Sequence, residues 1–262
     1  MIFMNRNIRL IGILAMVLLV ATVQMAGANI ADHVVISEIQ ADSASGNDSD
    51  HDDWIELYNP TNVSINLSSG TYRIERAVTS IPSLVMRIGN EGDGTYPGGT
   101  VIPAYGFYLI VRDNANQTLR DKADAIGTKS TFYWTGGNYT LYLGNDTISS
   151  DDDPDIVDKV GFGSGAKYNE SSPAPAIPDG KSLQRKVSDT VDESDTYGPA
   201  WDSDNNSADF FIQDSPNPVN YTMSSGNPVA PLPELPTIIL TATGILVLAG
   251  YASLRRSRKT DK

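Results

Sequence analysis

The middle of the chain lacks the apolar spacing that a helix requires. Between Asn29 and Pro236, no stretch keeps an apolar residue at every third or fourth position. Short runs of β-branched and aromatic residues occur instead, bounded by Gly, Asn, Asp or Pro. They predict strands at Val34–Ile39, Trp54–Tyr58, Tyr72–Arg76, Phe107–Val111, Tyr139–Leu143 and Ile156–Phe162, with weaker candidates at Leu84–Ile88 and Ser182–Arg185. The pattern therefore predicts an all-β fold.

Seven or eight such strands fit an immunoglobulin-like β-sandwich, although periodicity alone leaves a jelly roll open. In the second run Ile55 and Leu57 share one face, whereas Trp54, Glu56 and Tyr58 share the other. Side chains alternate between the two faces of a strand, so we expect Ile55 and Leu57 to lie in a core.

Residues 1–28 have the features of a secretory signal peptide. Arg6 and Arg9 precede an uncharged apolar stretch, and Ala26-Gly27-Ala28 provides a small-residue cleavage pattern. The alternative is an uncleaved anchor helix. In both cases the residues that follow are expected outside the cell.

A second apolar segment lies near the other end of the chain. Residues 237–254 carry no charge, and a helix of that length just spans a bilayer core. The basic tail 255–262 follows at once and is expected to stay cytoplasmic. The sequence thus predicts a transmembrane helix that anchors an external domain, residues 29–213, in the cell membrane, with a buried core helix as the alternative.

Residues 214–236 predict a stalk between the domain and the anchor. Their prolines at 216, 218, 228, 231 and 233 disfavour helix and favour extended chain. Pro233-Glu234-Leu235-Pro236, followed by an apolar helix and basic residues, resembles the PEF-type C-terminal sorting signals of archaeal surface proteins. The resemblance implies a membrane transpeptidase as a processing partner, although the family prefers Phe at the position of Leu235. A plain anchor explains the same residues.

Charge and composition exclude several classes of function. The chain contains no cysteine, which excludes thiolate catalysis and thiolate metal sites. Residues 29–236 hold 12 Lys and Arg against 31 Asp and Glu, a formal charge of −19. Such a surface repels phosphate backbones and argues against nucleic acid as a partner.

The mature chain contains nine N-x-S/T sequons. In a secreted chain they predict glycosylation at some of these positions, which must then be on the surface. The candidates are Asn47, Asn62, Asn66, Asn116, Asn138, Asn145, Asn169, Asn205 and Asn220.

A series of motifs resembles the lamin tail domain. Val35-Ile36-Ser37-Glu38-Ile39 and then Asp53-Trp54-Ile55-Glu56-Leu57-Tyr58-Asn59 look like its opening. The elements Ile65–Ser68, Pro103–Ile110, Asp155–Val160, Gly180–Arg185 and the exit Ser215–Asn220 follow in the family's order, together with Trp201. The resemblance runs from about residue 33 to 220. It implies an immunoglobulin-like sandwich but does not fix a function.

Glu38, Trp54, Glu56, Asn59 and Arg185 are the structural residues of these motifs. Partly buried charges need partners, so we expect Arg185 to pair with Glu38 or Glu56 across the sheet. Trp54 and Trp201 are expected in core or edge packing.

Clusters of acids form the best candidate metal site. Asp48, Asp50 and Asp52 alternate as calcium ligands do, but Asp53 and Asn59 occupy positions where an EF-hand needs Gly and Glu. If the acid-rich loops meet at one end of the sandwich, they predict weak calcium binding; the alternative is solvated loops. The candidate ligands are Asp48, Asp50, Asp52, Asp151, Asp153, Asp202 and Asp204.

No catalytic motif accompanies these acids. The chain has no G-x-S-x-G elbow, Walker A loop or H-E-x-x-H pair, and paired carboxylates for glycoside hydrolysis are the alternative that sequence leaves open. We therefore expect a non-enzymatic surface protein that displays a module for adhesion, envelope organisation or binding of a surface protein or glycan. Two alternatives are an accessory module for a separate hydrolase or nuclease and a calcium-ordered adhesion domain.

Overall fold

The computed structural model describes residues 29–41, 52–68, 72–79, 82–194, 196–224 and 229–232. The predicted signal peptide 1–28, membrane helix 237–254, basic tail 255–262 and sorting motif Pro233-Glu234-Leu235 lie outside these residues. No helix within the described ranges combines the length and the apolar character that a membrane crossing needs.

Short strands dominate the described chain, and three helices have four residues each. The strands are β1 Val35–Gln40, β2 Trp54–Tyr58, β3 Ile65–Asn66, β4 Arg73–Ala77, β5 Ser83–Arg87, β6 Gly94–Thr95, β7 Val101–Ile102, β8 Phe107–Arg112, β9 Ala125–Gly127, β10 Tyr139–Gly144, β11 Ile156–Phe162, β12 Ser182–Arg185 and β13 Phe210–Gln213. The helices are α1 Gln117–Arg120, α2 Asn206–Asp209 and α3 Tyr221–Ser224.

Two large sheets form the layers of a sandwich. The first has seven strands in the order β13-β12-β1-β2-β8-β9-β6, and the second has four in the order β11-β10-β4-β5. The pairs within them are antiparallel except for β8 and β9, which run parallel. A small sheet of β3 and β7 lies apart from both. The architecture confirms the prediction of a mostly-β fold consistent with an immunoglobulin-like sandwich.

The main core lies between the two large sheets. Ile55 and Leu57 of β2 belong to it, as predicted, together with Leu141 and Leu143 of β10 from the second sheet. Burial of such aliphatic side chains contributes about 1.5–3 kcal/mol each relative to exposure. This shared apolar layer holds the sheets face to face.

The outer face of the seven-stranded sheet is also covered. Trp54 packs there with Leu109 and with Leu119 of α1, and its indole Nε1 donates to Gln40 Oε1 at 2.8 Å. Tyr58 forms a second outer cluster with Phe107 and Ala200. Both sides of the central strands are therefore buried.

The C-terminal part of the described chain packs against this outer face. The compact unit extends from Asn29 to Leu232, beyond the predicted domain end at residue 213. Asn220 donates from Nδ2 to the Lys122 carbonyl at 2.6 Å, and the Tyr58 hydroxyl donates to the Val229 carbonyl. The described residues of the predicted stalk, as far as Leu232, are thus part of the folded unit and hydrogen-bond to the rest of the domain.

Candidate functional site

Arg185 is fully buried within the sandwich. Its Nη2 donates to both carboxylate oxygens of Asp158 on β11, at 2.9 and 2.8 Å. Its Nε donates to the Ile36 carbonyl at 2.9 Å and its Nη1 to the Trp201 carbonyl at 3.0 Å. The guanidinium also lies over the Phe210 ring, 4.6 Å from the ring centre. One side chain therefore joins β12 and β1 of the first sheet to β11 of the second.

The predicted pairing of Arg185 with Glu38 or Glu56 is wrong. Gln184 stands opposite Glu38 in the register between β1 and β12. Because side chains alternate along a strand, Arg185 projects to the opposite face, towards the second sheet. Asp158 lies on that inner face, and its Oδ2 also accepts a hydrogen bond from the Ile36 N–H at 2.6 Å.

Glu38 and Glu56 lie opposite each other on the outer face. A β-bulge between Ile36 and Glu38 leaves Ser37 unpaired in the ladder, and its hydroxyl donates to Glu56 Oε1 at 2.6 Å. The Ser182 hydroxyl donates to Glu38 Oε1. Burial raises the pKa of Glu38 to about 7, and burial together with the nearby Glu38 charge raises the pKa of Glu56 well above its usual value. The two acids therefore repel each other when both are charged.

Asn59 shapes the loop that follows β2. Its Nδ2 donates to the carbonyls of Val63 and Pro103, each at 2.8 Å. Its Oδ1 accepts from the N–H and the hydroxyl of Thr61. A fully buried amide that is satisfied on both ends holds the chain as it leaves the sheet, which is a structural role.

Three carboxylates converge beside Arg185. Glu170, Asp202 and Asp209 each offer an oxygen, and these oxygens lie within 4.8 Å of one another. Asp209, the last residue of α2, accepts from the Ser203 N–H and hydroxyl and from the Asn205 N–H. Glu170 Oε2 accepts from Asn206 Nδ2 at 2.7 Å. We call these three acids the carboxylate triad.

The electrostatics of the triad favour a bound positive charge. Burial, followed by the Asp158 charge, raises the pKa of Glu170 to about 9. Burial also raises the pKa of Asp202, whose Oδ1 lies 3.7 Å from Arg185 Nη1. Because Arg185 is already engaged by Asp158, the negative charge of the triad is incompletely compensated. A proton on Glu170 is one way to relieve it, and a cation is another.

The triad has the chemistry of a calcium site. Calcium takes carboxylate oxygens at about 2.3–2.6 Å, so two ligands on one ion are at most about 5 Å apart. The oxygen separations in the triad satisfy this limit. Three carboxylates that converge on one point offer hard oxygen ligands, so the arrangement has the chemistry to bind a hard cation.

The predicted calcium ligands are placed on different elements. Asp52 accepts from Asn116, at its N–H and Nδ2. Asp151 binds the Lys159 ammonium at 3.1 Å, and Asp153 accepts from the Ser149 N–H and hydroxyl. Asp204 is exposed, and Asp48 and Asp50 lie outside the described residues. Of this set only Asp202 contributes to the triad.

Sequence reasoning missed Glu170 and Asp209. Neither lies in a run of acids: Glu170 stands in the loop after β11, and Asp209 directly precedes β13. They reach Asp202 through tertiary structure, because Asn206 ties the Glu170 loop to α2. No local spacing signal marks such a group.

Five of the predicted glycosylation sites are exposed: Asn62, Asn66, Asn116, Asn138 and Asn145. Three are half-buried with engaged side chains, namely Asn169, Asn205 and Asn220. Asn47 lies outside the described residues. The exposed group is the more accessible to glycosylation, although the Asn116 Nδ2 donates to Asp52, and occupancy stays a prediction.

The fold and the buried polar clusters define a β-sandwich domain of the immunoglobulin type. The sequence model of the Lamin Tail Domain matches residues 28–164, and the chain belongs to this family. No curated protein matches the chain.

The matched range is shorter than the resemblance seen in the sequence. It includes β1 to β11 but ends before β12, Trp201 and the exit at Ser215–Asn220. In the structure these later segments are nonetheless integral to the sandwich, because β12 pairs with β1 at its centre. The family match therefore covers most of the sandwich, and the remaining strands complete it.

Proposed function

We propose that this protein is a non-enzymatic surface protein that holds a lamin-tail sandwich outside the cell on a C-terminal membrane anchor. Membership of the lamin tail family supports a binding or structural module. The observation that carries the proposal is that the polar side chains of the motifs are buried and hydrogen-bonded within the fold. Glu38, Glu56 and Arg185 are at most 2% exposed, and their polar atoms are hydrogen-bonded to neighbouring segments of the domain.

The anchoring is supported by the apolar segment 237–254 and its basic tail. The test is fractionation of cells that express the full chain or a chain ending at Leu232. We expect the full chain in the membrane fraction, resistant to alkaline carbonate and digested by protease added to intact cells. The shortened chain should be released into the medium. Full chain that washes off with carbonate, or that protease cannot reach, contradicts the proposal.

Processing at the sorting motif is a separate part of this proposal. The Pro233-Glu234-Leu235 motif before the apolar segment supports recognition by a membrane transpeptidase. Mass spectrometry of the mature C-terminus tests it, with Glu234→Ala as the variant and Glu193→Ala, in the folded unit, as its control. A native C-terminus at Lys262 in the wild type identifies a plain anchor instead.

The carboxylate triad supports a second function, a calcium-ordered adhesion domain. Calcium that binds only the folded state must raise the melting temperature by mass action. We expect a calcium-specific rise at millimolar calcium, with magnesium as the control and a chelator as the baseline. Asp202→Asn should remove the rise, whereas Asp204→Asn, the exposed acid two residues on, should keep it. An unchanged melting temperature in the wild type rules out this function.

A further inference from the structure

The chain crosses the outer face of the seven-stranded sheet after β13, and we call residues 216–221 the strap. Backbone N–H groups at two alternate strap positions donate to carboxylates of the sandwich, Val219 to Glu56 and Tyr221 to Asp124. The two bonds are each 2.8 Å long, and Asn217 lines the same pocket as Glu38. The strap is therefore held to the sheet by carboxylates.

The strap sequence suits this arrangement. Alternate N–H groups of an extended chain point to the same side, so residues 217, 219 and 221 can all donate towards the sheet. Pro216 and Pro218 stand between them and have no N–H to leave unsatisfied. Both prolines line a small pocket with Trp54 and Leu119. The prolines that predicted an extended stalk thus shape a docked segment.

Two acids of like charge stand together beneath the strap. Glu38 and Glu56 stand directly opposite each other in the β1–β2 register and are 2% and 1% exposed. Like charges in opposite positions of a sheet destabilise it. Their direct donors are the hydroxyls of Ser182 and Ser37 and the strap N–H of Val219. None of the ion pairs found among the described residues involves either acid.

The other charged groups around the pair do not relieve it. A pocket of about 330 Å³ beside the pair is lined by Arg185, Asp192, Glu193 and Tyr197 as well as by strap residues. Arg185 is committed to Asp158 on the inner face, and Glu193 adds negative charge near Glu38. On the Asp124 side, Leu109 donates a second N–H to the same oxygen, and the Tyr108 hydroxyl is nearby.

We propose that closure of the strap over the sheet is coupled to proton uptake by the Glu38–Glu56 pair. A single proton shared by the pair removes the repulsion that the closed strap would otherwise enclose. With the strap open, both carboxylates face water and no longer need that proton. The strap is in this way a proton-controlled latch on the C-terminal exit of the domain.

The direction of the pH effect follows from the burial of the pair. In the closed state the pKa of Glu38 is about 7, above its ordinary value of 4.5. A closed state that binds the proton more tightly is fully favoured below about pH 4.5, and this preference is lost as the pH rises through about 7. The strap N–H bonds alone would act in the opposite direction, because they favour the charged carboxylates. A strap that loosens as the pH rises therefore indicates proton uptake by the pair, whereas a strap that tightens as the pH rises indicates the N–H bonds to charged carboxylates.

Amide hydrogen exchange on the full-length chain tests the proposal. Protection factors for peptides that cover residues 216–224 are measured from pH 5 to pH 9, each corrected for the intrinsic chemical rate. We expect strap protection to fall at least about tenfold between pH 5 and pH 8.5, which is one pK unit of linkage. In the Glu38→Gln/Glu56→Gln double variant the fall in strap protection between the two pH values should be much smaller than in the wild type.

Glu75→Gln is the matched control. Glu75 is also a buried strand glutamate that accepts a backbone N–H, but it lies on β4 of the other sheet. Its variant should keep the pH dependence of the strap. Strap protection that is flat across the pH range, that rises with pH, or that falls in the double variant as much as in the wild type overturns the proposal.

A second measurement keeps the test decisive if the double variant does not fold. Carbon-13 NMR of the side-chain carboxyls follows the titration of each glutamate in the wild type. We expect Glu38 or Glu56 to titrate near pH 7 in step with the chemical shift of the Val219 amide. If every glutamate near the strap titrates below pH 5, the coupling does not exist.

Discussion

At the scale of single residues, Arg185 connects the two sheets of the sandwich. It is fully buried, and its carboxylate partner Asp158 belongs to the opposite sheet. Removing one member of a buried ion pair leaves the other charge without compensation and costs about 3–5 kcal/mol. The pair therefore specifies how the two sheets are joined, whatever its net contribution relative to an apolar pair.

Arg185→Met tests this role. We expect the variant to lower the free energy of unfolding by about 3–5 kcal/mol, because Asp158 is left charged inside the sandwich. Lys181→Met is the control, since Lys181 forms an exposed pair with Asp214 that is worth at most about 1 kcal/mol. Urea unfolding of both variants measures the difference. Equal midpoints for the two variants contradict a central role for Arg185.

The sequence predicted that Arg185 would have a carboxylate partner but named the wrong acids. A buried charge needs a partner of opposite charge, and the position of Arg185 in a strand motif indicates from the sequence that it will be buried. The identity of the partner depends on which face Arg185 occupies, and this is set by the register of β12 against β1. Register is a tertiary property, so Asp158 could not be distinguished from other acids. The same reason hid Glu170 and Asp209.

At the scale of elements, long strands were easier to predict than short ones. The eight predicted strands are all present, with ends that differ by at most one residue. The strands β3, β6, β7, β9 and β13 were missed. They have two to four residues each, too few for an alternating pattern to stand out, and they form because neighbouring strands offer partners.

One connection between elements depends on a glycine. A Cβ on Gly136 would lie 1.9 Å from the Ile177 carbonyl oxygen, whereas a Cβ on Gly137 would meet nothing within 4 Å. The close approach also lets the Ile177 N–H donate to the Gly136 carbonyl at 2.6 Å. The segment before β10 is thereby held against the segment before β12.

Two alanine variants follow from this contrast. We expect Gly136→Ala to destabilise the protein by about 1–3 kcal/mol, because backbone must move to admit the methyl group. Gly137→Ala should change stability by less than about 1 kcal/mol in either direction. Thermal unfolding of the pair under identical conditions decides it. If Gly137→Ala is as unstable as Gly136→Ala, the loss of stability does not come from the close contact with Ile177 but from the backbone conformation of the segment.

At the scale of the whole molecule, buried acids set the response to pH. Burial raises the pKa of Glu38 to about 7, that of Asp124 to about 6 and that of Glu170 to about 9. Each of these groups stabilises the fold below its ordinary pKa, and that contribution is lost as the pH rises through the raised value. Although burial would raise the pKa of Asp93, hydrogen bonds from Arg87 lower it to about 2. Asp93 therefore stays charged over the pH range in which the other three acids titrate.

We therefore expect the protein to be more stable at pH 5.5 than at pH 8.5 when a chelator is present. Urea midpoints at the two pH values measure the effect. Glu170→Gln should flatten the dependence, because it removes the group with the highest of the three raised values. If calcium occupies the triad, it should restore stability chiefly at pH 8.5, where the carboxylates are charged. A midpoint that increases with pH contradicts the assignment.

The backbone bridges near residue 200 have a consequence for connectivity. Ile30 pairs with Trp201, and Gly198 pairs with Pro231, so the start and the end of the folded unit contact positions three residues apart. Three residues span at most about 11 Å. A circular permutant that joins Leu232 to Asn29 through a short glycine-rich loop, with new termini opened at the exposed Asp113-Asn114 turn, should therefore keep the native near-ultraviolet circular dichroism spectrum. The same proximity means that the two ends of the folded unit leave it close together, so a protein fused at one end would lie near the other end as well.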